Sequence, residues 1–255
     1  MSVPNTAGSS RPRVSWHRGG AELAPYATLA AFASAAAHEA ELIEVDVRRT
    51  ADGGLVCVHD ADVPGLGPVS ALEWTDPAVR RAAVGRVFGF EEFLDVLDEH
   101  DPGRVSEVHL DVKEAGLETE AVERVLERSR RVVVTSNEHS AIRAVRHDHP
   151  GVPALLTIGR DARGLTRSEL ALVRLGELLP FRQIERTGAT GVAAHFLLAG
   201  RLLREWCTRH GMQLLVWTVD SDRALARWLE RDDVDVVTTN RPLAALAIRE
   251  TGGIG

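Results

Sequence analysis

The chain has 255 residues, of which 44 % are hydrophobic, so it can bury one large core or two smaller ones. Its formal net charge of −7 argues against sequence-independent binding of nucleic acid, which needs a basic surface. No apolar run approaches the ~20 residues of a transmembrane helix, which argues against a membrane span.

The amino-terminal segment is polar and lacks the apolar core of a signal peptide. We therefore expect a short disordered tail over residues 1–13 and a single domain over residues 14–255. Cys57 and Cys207 lie far apart, in a strand pattern and a helix pattern, which favours reduced thiols over a disulfide framework. These features predict a cytoplasmic protein and leave its oligomeric state open.

Short apolar segments with the spacing of β-strands recur along the chain. In order they are Val14–His17, Leu42–Val47, Val108–Val112, Val132–Ser136, Ala154–Ile158, Gly191–His195, Leu214–Val219 and Val234–Thr238. Helical patterns lie between them, among them Thr28–His38, Phe90–Glu99, Thr119–Arg130, Leu198–Arg209 and Arg223–Glu230. Leu165–Thr187 fits a helix followed by an irregular loop. Strands alternating with helices predict parallel βαβ units, and the strand count favours a closed (β/α)₈ TIM barrel over an open doubly wound sheet.

The second and third predicted strands alternate apolar and ionisable side chains. Glu44 and Asp46 are two residues apart, so both carboxylates project from one face of a strand. Two like charges on a buried strand cost free energy unless a cation neutralises them, which favours a cation site. The alternative is a half-exposed strand whose acidic face is solvated. Asp111 and Lys113 share a face of the next strand with His109, which we expect to be a hydrogen-bonded polar group inside the barrel.

Lys113 is the only lysine among 30 basic residues, all the others being arginine. A compact ammonium, kept where arginine otherwise supplies every cation, indicates a position that a planar guanidinium cannot fill. The alternative is the chance survival of one surface lysine.

Histidines mark the ends of two further strand patterns. The first strand ends in His17-Arg18-Gly19-Gly20, and an extra strand after the second ends in His59-Asp60. Functional groups of a barrel gather at the carboxyl ends of its strands, so we expect these histidines to meet the carboxylates and the lysine. Such a set suits metal-assisted acid–base chemistry, and its carboxylate oxygens favour Mg²⁺ or Ca²⁺ over Zn²⁺.

Several short motifs follow one another along the chain. They are His17-Arg18-Gly19, Ile43-Glu44-Val45-Asp46-Val47, Asp52-Gly53 followed by Val58-His59-Asp60, Asp111-Val112-Lys113 and Trp217-Thr218-Val219. In this order they resemble the glycerophosphodiester phosphodiesterase family, over about Val14 to Pro242. The resemblance implies a (β/α)₈ barrel with a divalent cation at the carboxyl ends of its strands. It also implies hydrolysis of a small glycerophosphodiester to glycerol 3-phosphate and an alcohol.

The resemblance also implies residue roles. Glu44, Asp46 and Asp111 are implied as metal ligands, His17 and His59 as an acid–base pair, and Arg18 and Lys113 as phosphate contacts, with Lys113 also stabilising the charge that develops during reaction. By analogy we assign His17 as the base and His59 as the acid, both near the reference pKa of about 6.5. The strand pattern of Trp217 predicts core packing as its default, and the resemblance implies that it instead walls the substrate pocket. His195 ends the sixth strand and could line the site.

The chain departs from the family pattern at several positions. Tyr26-Ala27 stands where Glu-Asn is usual, Asp111 where Glu is common, Ser136-Asn137 where Ser-Phe is usual, and Asp220 where Asn follows Trp-Thr-Val. The family's substrate-covering insertion falls in residues 61–88, which are short here.

The leading prediction is a metal-dependent phosphodiester hydrolase. One alternative is a phospholipase D-like or phosphoinositide-cleaving barrel, which calls for an apolar rim to meet lipid. Another is a non-catalytic phosphate-binding barrel, suggested by the altered Tyr26-Ala27 element.

Overall fold

Parallel strands close into a barrel in the computed structural model, which describes residues 11–159 and 181–252. The strands in chain order are β1 (Arg13–Trp16), β2 (Leu42–Arg49), β3 (Leu55–Cys57), β4 (Asp62–Val63), β5 (Gly67–Pro68), β6 (Phe88–Gly89), β7 (Glu107–Val112), β8 (Val132–Ser136), β9 (Ala154–Ile158), β10 (Gly191–His195), β11 (Gln213–Trp217) and β12 (Val236–Thr239). β1, β2 and β7 to β12 pair in parallel, and β1 contacts both β2 and β12. These pairings confirm the predicted eight-stranded TIM barrel.

Helices surround the barrel in the described part of the chain. They are α1 (Leu29–Ala37), α2 (Pro77–Ala83), α3 (Phe90–His100), α4 (Glu118–Glu127), α5 (His139–Asp148), α6 (Phe181–Thr187), α7 (Arg201–His210), α8 (Asp222–Leu229) and α9 (Pro242–Thr251). α3 shows why they pack inward: its buried residues Phe90, Phe93, Leu94 and Leu97 recur at helical spacing and form one apolar stripe. Ser221 accepts a hydrogen bond from the backbone of Ala224 and so caps α8.

The two faces of β2 belong to different layers. Ile43, Val45 and Val47 are fully buried in the main core between the strands and the helices. Leu42 faces the barrel interior, where it joins an apolar cluster with Val133, Leu155, Ala193, Leu215 and Val236. Further along the strand, Glu44 and Asp46 are in register with His109 and Asp111 of β7. The interior therefore changes from apolar to ionisable toward the carboxyl ends of the strands.

An insertion follows β2, as predicted. β3 pairs antiparallel with β2, and β6 pairs antiparallel with β3. In the sequence, the hairpin β4–β5 and helix α2 lie between β3 and β6. The insertion has a small apolar core that includes Val56, Val63 and Val87. The extra strand ends at Cys57, so His59 lies in the bend beyond it and not at the strand end that was predicted.

Some boundaries differ from the predictions. The irregular loop predicted at the end of Leu165–Thr187 is wrong over Phe181–Thr187, which is helical because burial of Ile184 against the main core stabilises it. The rest of that segment, like the predicted tail over residues 1–10, lies outside the described residues. Cys57 and Cys207 are both buried and free. Within the described ranges, no helix is long and apolar enough to cross a membrane.

Candidate active site

The turn after β1 places Arg18 against the carboxylates of β2. Arg18 has φ 50° and ψ 43°, in the left-handed region that residues with a side chain seldom occupy. Its backbone N–H donates to Glu44 Oε2 at 2.8 Å, and its Nε lies 2.6 Å from Asp46 Oδ2. Gly19 follows with φ 80°, and a Cβ there would lie 2.7 Å from the carbonyl carbon of Ala31. The glycine lets the chain pass against α1 while the strained arginine directs two donors at the carboxylate pair.

Three carboxylates converge at the carboxyl ends of β2 and β7. Glu44 and Asp46 are each 3 % exposed, and Asp111 is half-buried. One oxygen from each lies within 4.8 Å of the others, so the three side chains can hold a metal ion. Burial and the neighbouring Asp46 raise the pKa of Glu44 well above its usual value. Burial also acts to raise the pKa of Asp46, but Lys113 and Arg18 outweigh it and lower that pKa.

Lys113 bridges two of these carboxylates. Its Nζ lies 2.7 Å from Asp46 Oδ1 and 2.5 Å from Asp111 Oδ2. Burial acts to lower its pKa, but Asp111 and Asp46 outweigh that effect and raise it. Because its side chain is only 17 % exposed, the interpretation of Lys113 as a surviving surface lysine is wrong.

His17 begins the turn after β1, and its ring nitrogen Nδ1 contacts two polar side chains. Its Nδ1 lies 2.8 Å from Asn240 Oδ1 and 3.0 Å from the Tyr26 hydroxyl, while Nε2 lies 3.9 Å from Glu44 Oε2. Burial, followed by the charge of Arg18, lowers the pKa of His17 to about 4. The expectation that this histidine keeps its reference pKa is therefore wrong, because its ring is largely removed from water.

His59 lies in the bend after β3 and is the more exposed of the two histidines, with 40 % of its side chain accessible. Its Nδ1 lies 2.7 Å from Asp60 Oδ1. Its backbone carbonyl accepts hydrogen bonds from Nε and Nη2 of Arg48, which fix the bend. The charge of His59 is close enough to Asp46 to contribute to the lowered pKa of that carboxyl.

A buried hydrogen-bond chain supports Asp111 from inside the barrel. Ser15 Oγ lies 2.9 Å from His109 Nδ1, and His109 Nε2 lies 3.0 Å from Thr135 Oγ1. Thr135 in turn donates to Asp111 Oδ1 at 3.0 Å. Burial lowers the pKa of His109 to about 4, so this histidine is neutral. It is the hydrogen-bonded interior group that the strand pattern predicted.

Trp217 ends β11 and packs, half-buried, on the apolar cluster of the barrel interior. Its ring is nearly perpendicular to that of His195, with the centroids 5.3 Å apart. Its indole Nε1 is buried and has no hydrogen-bond partner among the described residues. Trp217 thus packs against the apolar interior of the barrel and also lies at the carboxyl end of a strand.

Two residues that contact His17 were not recognised as site residues in the sequence. Tyr26 replaces a carboxylate of the family pattern, yet its hydroxyl reaches His17 and its ring lies 5.3 Å from the guanidinium carbon of Arg18. Asn240 directly follows β12, and a position at the carboxyl end of a barrel strand is the signal that could have identified it. Asp220 was noted in the sequence only because it stands where the family usually has Asn, and in the structure it accepts a hydrogen bond from the Asn240 side chain.

Comparison with known proteins agrees with this geometry. The model of the glycerophosphoryl diester phosphodiesterase family matches residues 17–244. A glycerophosphodiester phosphodiesterase of Caldanaerobacter subterraneus is 25 % identical over 256 residues, covering 93 % of this chain and 97 % of the relative.

Solved structures show the same fold. A glycerophosphodiester phosphodiesterase from Parabacteroides distasonis superposes with a TM-score of 0.74 at 19 % identity, covering 96 % of this chain and 99 % of that one. An Oleispira antarctica phosphodiesterase in complex with the product sn-glycerol-3-phosphate superposes with a TM-score of 0.69 at 17 % identity, covering 94 % of this chain and 97 % of that one. Because the family match extends from His17 to Ala244 and includes every carboxylate of the cluster, the chain belongs to the glycerophosphoryl diester phosphodiesterase family of hydrolases.

Proposed function

We propose that the protein hydrolyses small glycerophosphodiesters to glycerol 3-phosphate and an alcohol. The observation that carries this proposal is the convergence of three carboxylates, Lys113 and Arg18 at the carboxyl ends of the barrel strands. The Oleispira antarctica phosphodiesterase of the same fold, solved with sn-glycerol-3-phosphate, supports the choice of product.

The carboxylate cluster fits a divalent cation. Glu44, Asp46 and Asp111 offer hard oxygen ligands without a thiolate or imidazole among them, which suits Mg²⁺ or Ca²⁺. Burial and the neighbouring Asp46 raise the pKa of Glu44, and a bound cation would offset both effects. A bound ion would supply Lewis-acid stabilisation of charge on the phosphoryl oxygens.

The charge balance of the site supports an anionic substrate. When ionised, the three carboxylates exceed the charge of Lys113 and Arg18 by one negative unit, and a cluster in that state repels a phosphodiester. A divalent cation held by these carboxylates would reverse the sign of this net charge and leave one positive unit. Lys113 and Arg18 then contact phosphoryl oxygens, and Lys113, as a compact ammonium, stabilises the charge that grows on them during reaction.

The two histidines transfer the protons. His17 stays neutral at neutral pH because its pKa is about 4, and its Nε2 is on the carboxylate side of the ring, so it accepts a proton from the water whose oxygen attacks phosphorus. His59 is closer to solvent and donates a proton to the departing alcohol oxygen as the phosphorus–oxygen bond breaks. Trp217 walls the pocket against the glycerol or the alcohol group with its half-buried ring.

A panel assay tests the proposal. The purified protein, supplied with Mg²⁺ or Ca²⁺, is incubated with glycerophosphodiesters that differ only in the alcohol, and glycerol 3-phosphate is quantified. We expect release of glycerol 3-phosphate from at least one member, with loss of release in the Asp46→Asn variant. An inactive protein that still binds glycerol 3-phosphate would contradict the proposal and indicate a phosphate-binding barrel.

A further inference from the structure

The Asn240 side chain connects His17, the proposed base, to the carboxylate of Asp220, which is outside the carboxylate cluster. Asn240 Nδ2 donates to Asp220 Oδ2 at 2.7 Å, and its backbone N–H donates to Asp220 Oδ1 at 2.8 Å. Asp220 Oδ1 also accepts from the Thr239 hydroxyl at 3.1 Å. The other end of the Asn240 amide, Oδ1, lies 2.8 Å from His17 Nδ1. The chain of contacts therefore runs from Asp220 through Asn240 to His17.

The polarity of these hydrogen bonds determines where the imidazole proton lies. A carboxylate only accepts, so the Asn240 group that faces Asp220 must be the NH₂. The group that faces His17 is then the carbonyl oxygen, which also only accepts, so His17 Nδ1 must carry a hydrogen. The Tyr26 hydroxyl, 3.0 Å from the same nitrogen, is left to accept as well. In neutral His17 the free lone pair is consequently on Nε2, the nitrogen that faces Glu44.

We propose that Asn240 and Asp220 are positioning residues that hold His17 in the tautomer and orientation required of a base. This inference rests on the proposed role of His17 in diester hydrolysis. Neither residue contacts the carboxylate cluster in the described structure, so their effect passes through the imidazole. The same logic applies wherever an accepting group on one ring nitrogen directs the lone pair of the other.

The substitution Asp220→Asn tests this polarity directly. The new amide must present its oxygen to the backbone N–H of Asn240, which leaves its NH₂ facing the Asn240 side chain. Asn240 can pair with that NH₂ only by turning its own oxygen toward it. Its NH₂ then faces His17 Nδ1 and favours the tautomer whose hydrogen is on Nε2. The ring keeps its place but presents a donor where a base is needed.

The reciprocal exchange Asp220→Asn with Asn240→Asp restores the polarity. A carboxylate at position 240 accepts from His17 Nδ1, and the amide at position 220 donates to that carboxylate while its oxygen accepts from the backbone. Asn240→Asp alone places two carboxylates within hydrogen-bond distance, which is repulsive. Each single substitution should therefore be worse than the pair, which is an outcome that bulk or packing changes do not produce.

The experiment measures kcat and KM for the wild type, both single variants, the double variant, Asn240→Ala and Asp222→Asn, with a divalent cation present. Asp222 makes an ion pair with Arg241 and lies two residues from Asp220, so Asp222→Asn is the matched control and should leave kcat unchanged. General base catalysis contributes roughly 10²–10⁴-fold, so we expect each single variant to lose at least about tenfold in kcat at similar KM. The double variant should recover most of that loss.

Two further readouts separate positioning from a structural role. In a His17→Ala background, Asn240→Ala should cause no further fall in kcat, since its effect passes through a ring that is no longer present. In ¹⁵N-labelled protein, the nitrogen shifts of His17 should report a protonated Nδ1 in the wild type and a protonated Nε2 in Asp220→Asn. The resonances are identified by their absence in His17→Ala.

The outcomes divide cleanly. If His17→Ala keeps wild-type turnover, the base role within the proposed function fails, and the inference fails with it. If His17→Ala loses turnover while the position 220 and 240 variants remain active, only the inference is overturned. A double variant no better than the worse single variant, or a further loss from Asn240→Ala in the His17→Ala background, would likewise overturn it.

Discussion

Lys113 forms a close contact with each of two carboxylates, Asp46 and Asp111, through one ammonium group. A guanidinium spreads the same charge over a planar fork that is longer and has fixed donor directions. Arg18, in the turn after β1, already contacts Asp46 through its guanidinium Nε. The site therefore combines one arginine and one lysine on a shared carboxylate, with a different geometric requirement for each.

Lys113→Arg should fold normally but lose at least about tenfold in kcat, because the larger group cannot occupy the point between Asp46 and Asp111. Steady-state kinetics and a thermal melt of the same preparations measure the two effects. Arg223→Lys, on the exposed surface of α8, is the matched control and should retain activity. Wild-type kcat in Lys113→Arg would show that only the charge matters at this position.

The leaving group distinguishes the two histidines. Replacement of either by Ala should cost roughly 10²–10⁴-fold on a glycerophosphodiester, as is typical of general acid–base catalysis. On a nitrophenyl phosphodiester the alcohol departs without needing a proton, so His59→Ala should recover a large part of its loss while His17→Ala should not. Recovery of His17→Ala alone would reverse the two assignments.

The lowered pKa of His17 sets the acid side of the pH profile. A base must be neutral, and a histidine with a pKa of about 4 stays neutral when the pH falls below the reference value of about 6.5. A bound cation acts in the same direction, because added positive charge disfavours imidazolium. With saturating cation, we expect kcat/KM to hold as the pH falls from 7 to about 5. A decline centred near pH 6.5 that is absent in His17→Ala would contradict the desolvated state of this ring.

At the scale of elements, a buried arginine holds α3 to the connection between α4 and β8. The Arg130 side chain is 0 % exposed and its Nη1 lies 2.9 Å from Asp101 Oδ2. It also donates to the backbone carbonyl of Leu97 in α3 and to that of Asp101, the residue that follows α3. Arg130 thus ties the end of α3 to the segment that follows α4 through an ion pair and two hydrogen bonds to the backbone.

Asp101→Asn should lower the free energy of unfolding by about 1–3 kcal/mol, because the buried guanidinium of Arg130 loses one charged acceptor while Asp98 still pairs with its Nε at 3.1 Å. Asp95→Asn is the matched control: Asp95 is 67 % exposed and pairs with the half-buried Arg128, so the loss should be about 0–1 kcal/mol. Denaturant titration measures both.

The same pair gives a pH dependence. Burial acts to raise the pKa of Asp101, but its hydrogen bonds from Arg130, Val105 and Ser106 outweigh it and lower the pKa. A carboxyl whose pKa is lower in the folded state contributes stability above its unfolded pKa of about 4, and loses that contribution as the pH falls through the folded pKa. The difference between wild type and Asp101→Asn should therefore narrow below about pH 4 and stay constant above it. If the difference in unfolding free energy between the two proteins were the same at every pH, the lowered pKa of Asp101 would be contradicted.

The elements show what sequence patterns can predict. The alternation in Leu42–Val47 predicted that Glu44 and Asp46 share a face, because side-chain direction in a strand depends only on residue number. The antiparallel pairing of β3 with β2 was not predicted, because an apolar run does not encode its partner. Asn240 was missed for the same reason: it contacts His17 across 223 residues of sequence, a contact that only closure of the barrel creates.

At the scale of the molecule, the barrel separates stability from chemistry. Apolar side chains fill the interior beneath the site, while the ionisable groups collect where the strands end. His109, Ser15 and Thr135 connect the two layers by hydrogen bonds, so Asp111 is held from below as well as by Lys113. This arrangement lets a buried cluster of like charges exist in a protein whose stability rests on the surrounding core.

The requirement for a divalent cation is the central claim, and product analysis after metal removal tests it most directly. The protein is exhaustively chelated, the chelator is removed, and a glycerophosphodiester is followed by phosphorus NMR before and after Mg²⁺ or Ca²⁺ is returned. We expect no turnover without the cation and glycerol 3-phosphate as the phosphorus-containing product once it is restored. Full activity after chelation, or release of a phosphorylated alcohol or a final cyclic phosphate, would contradict the account.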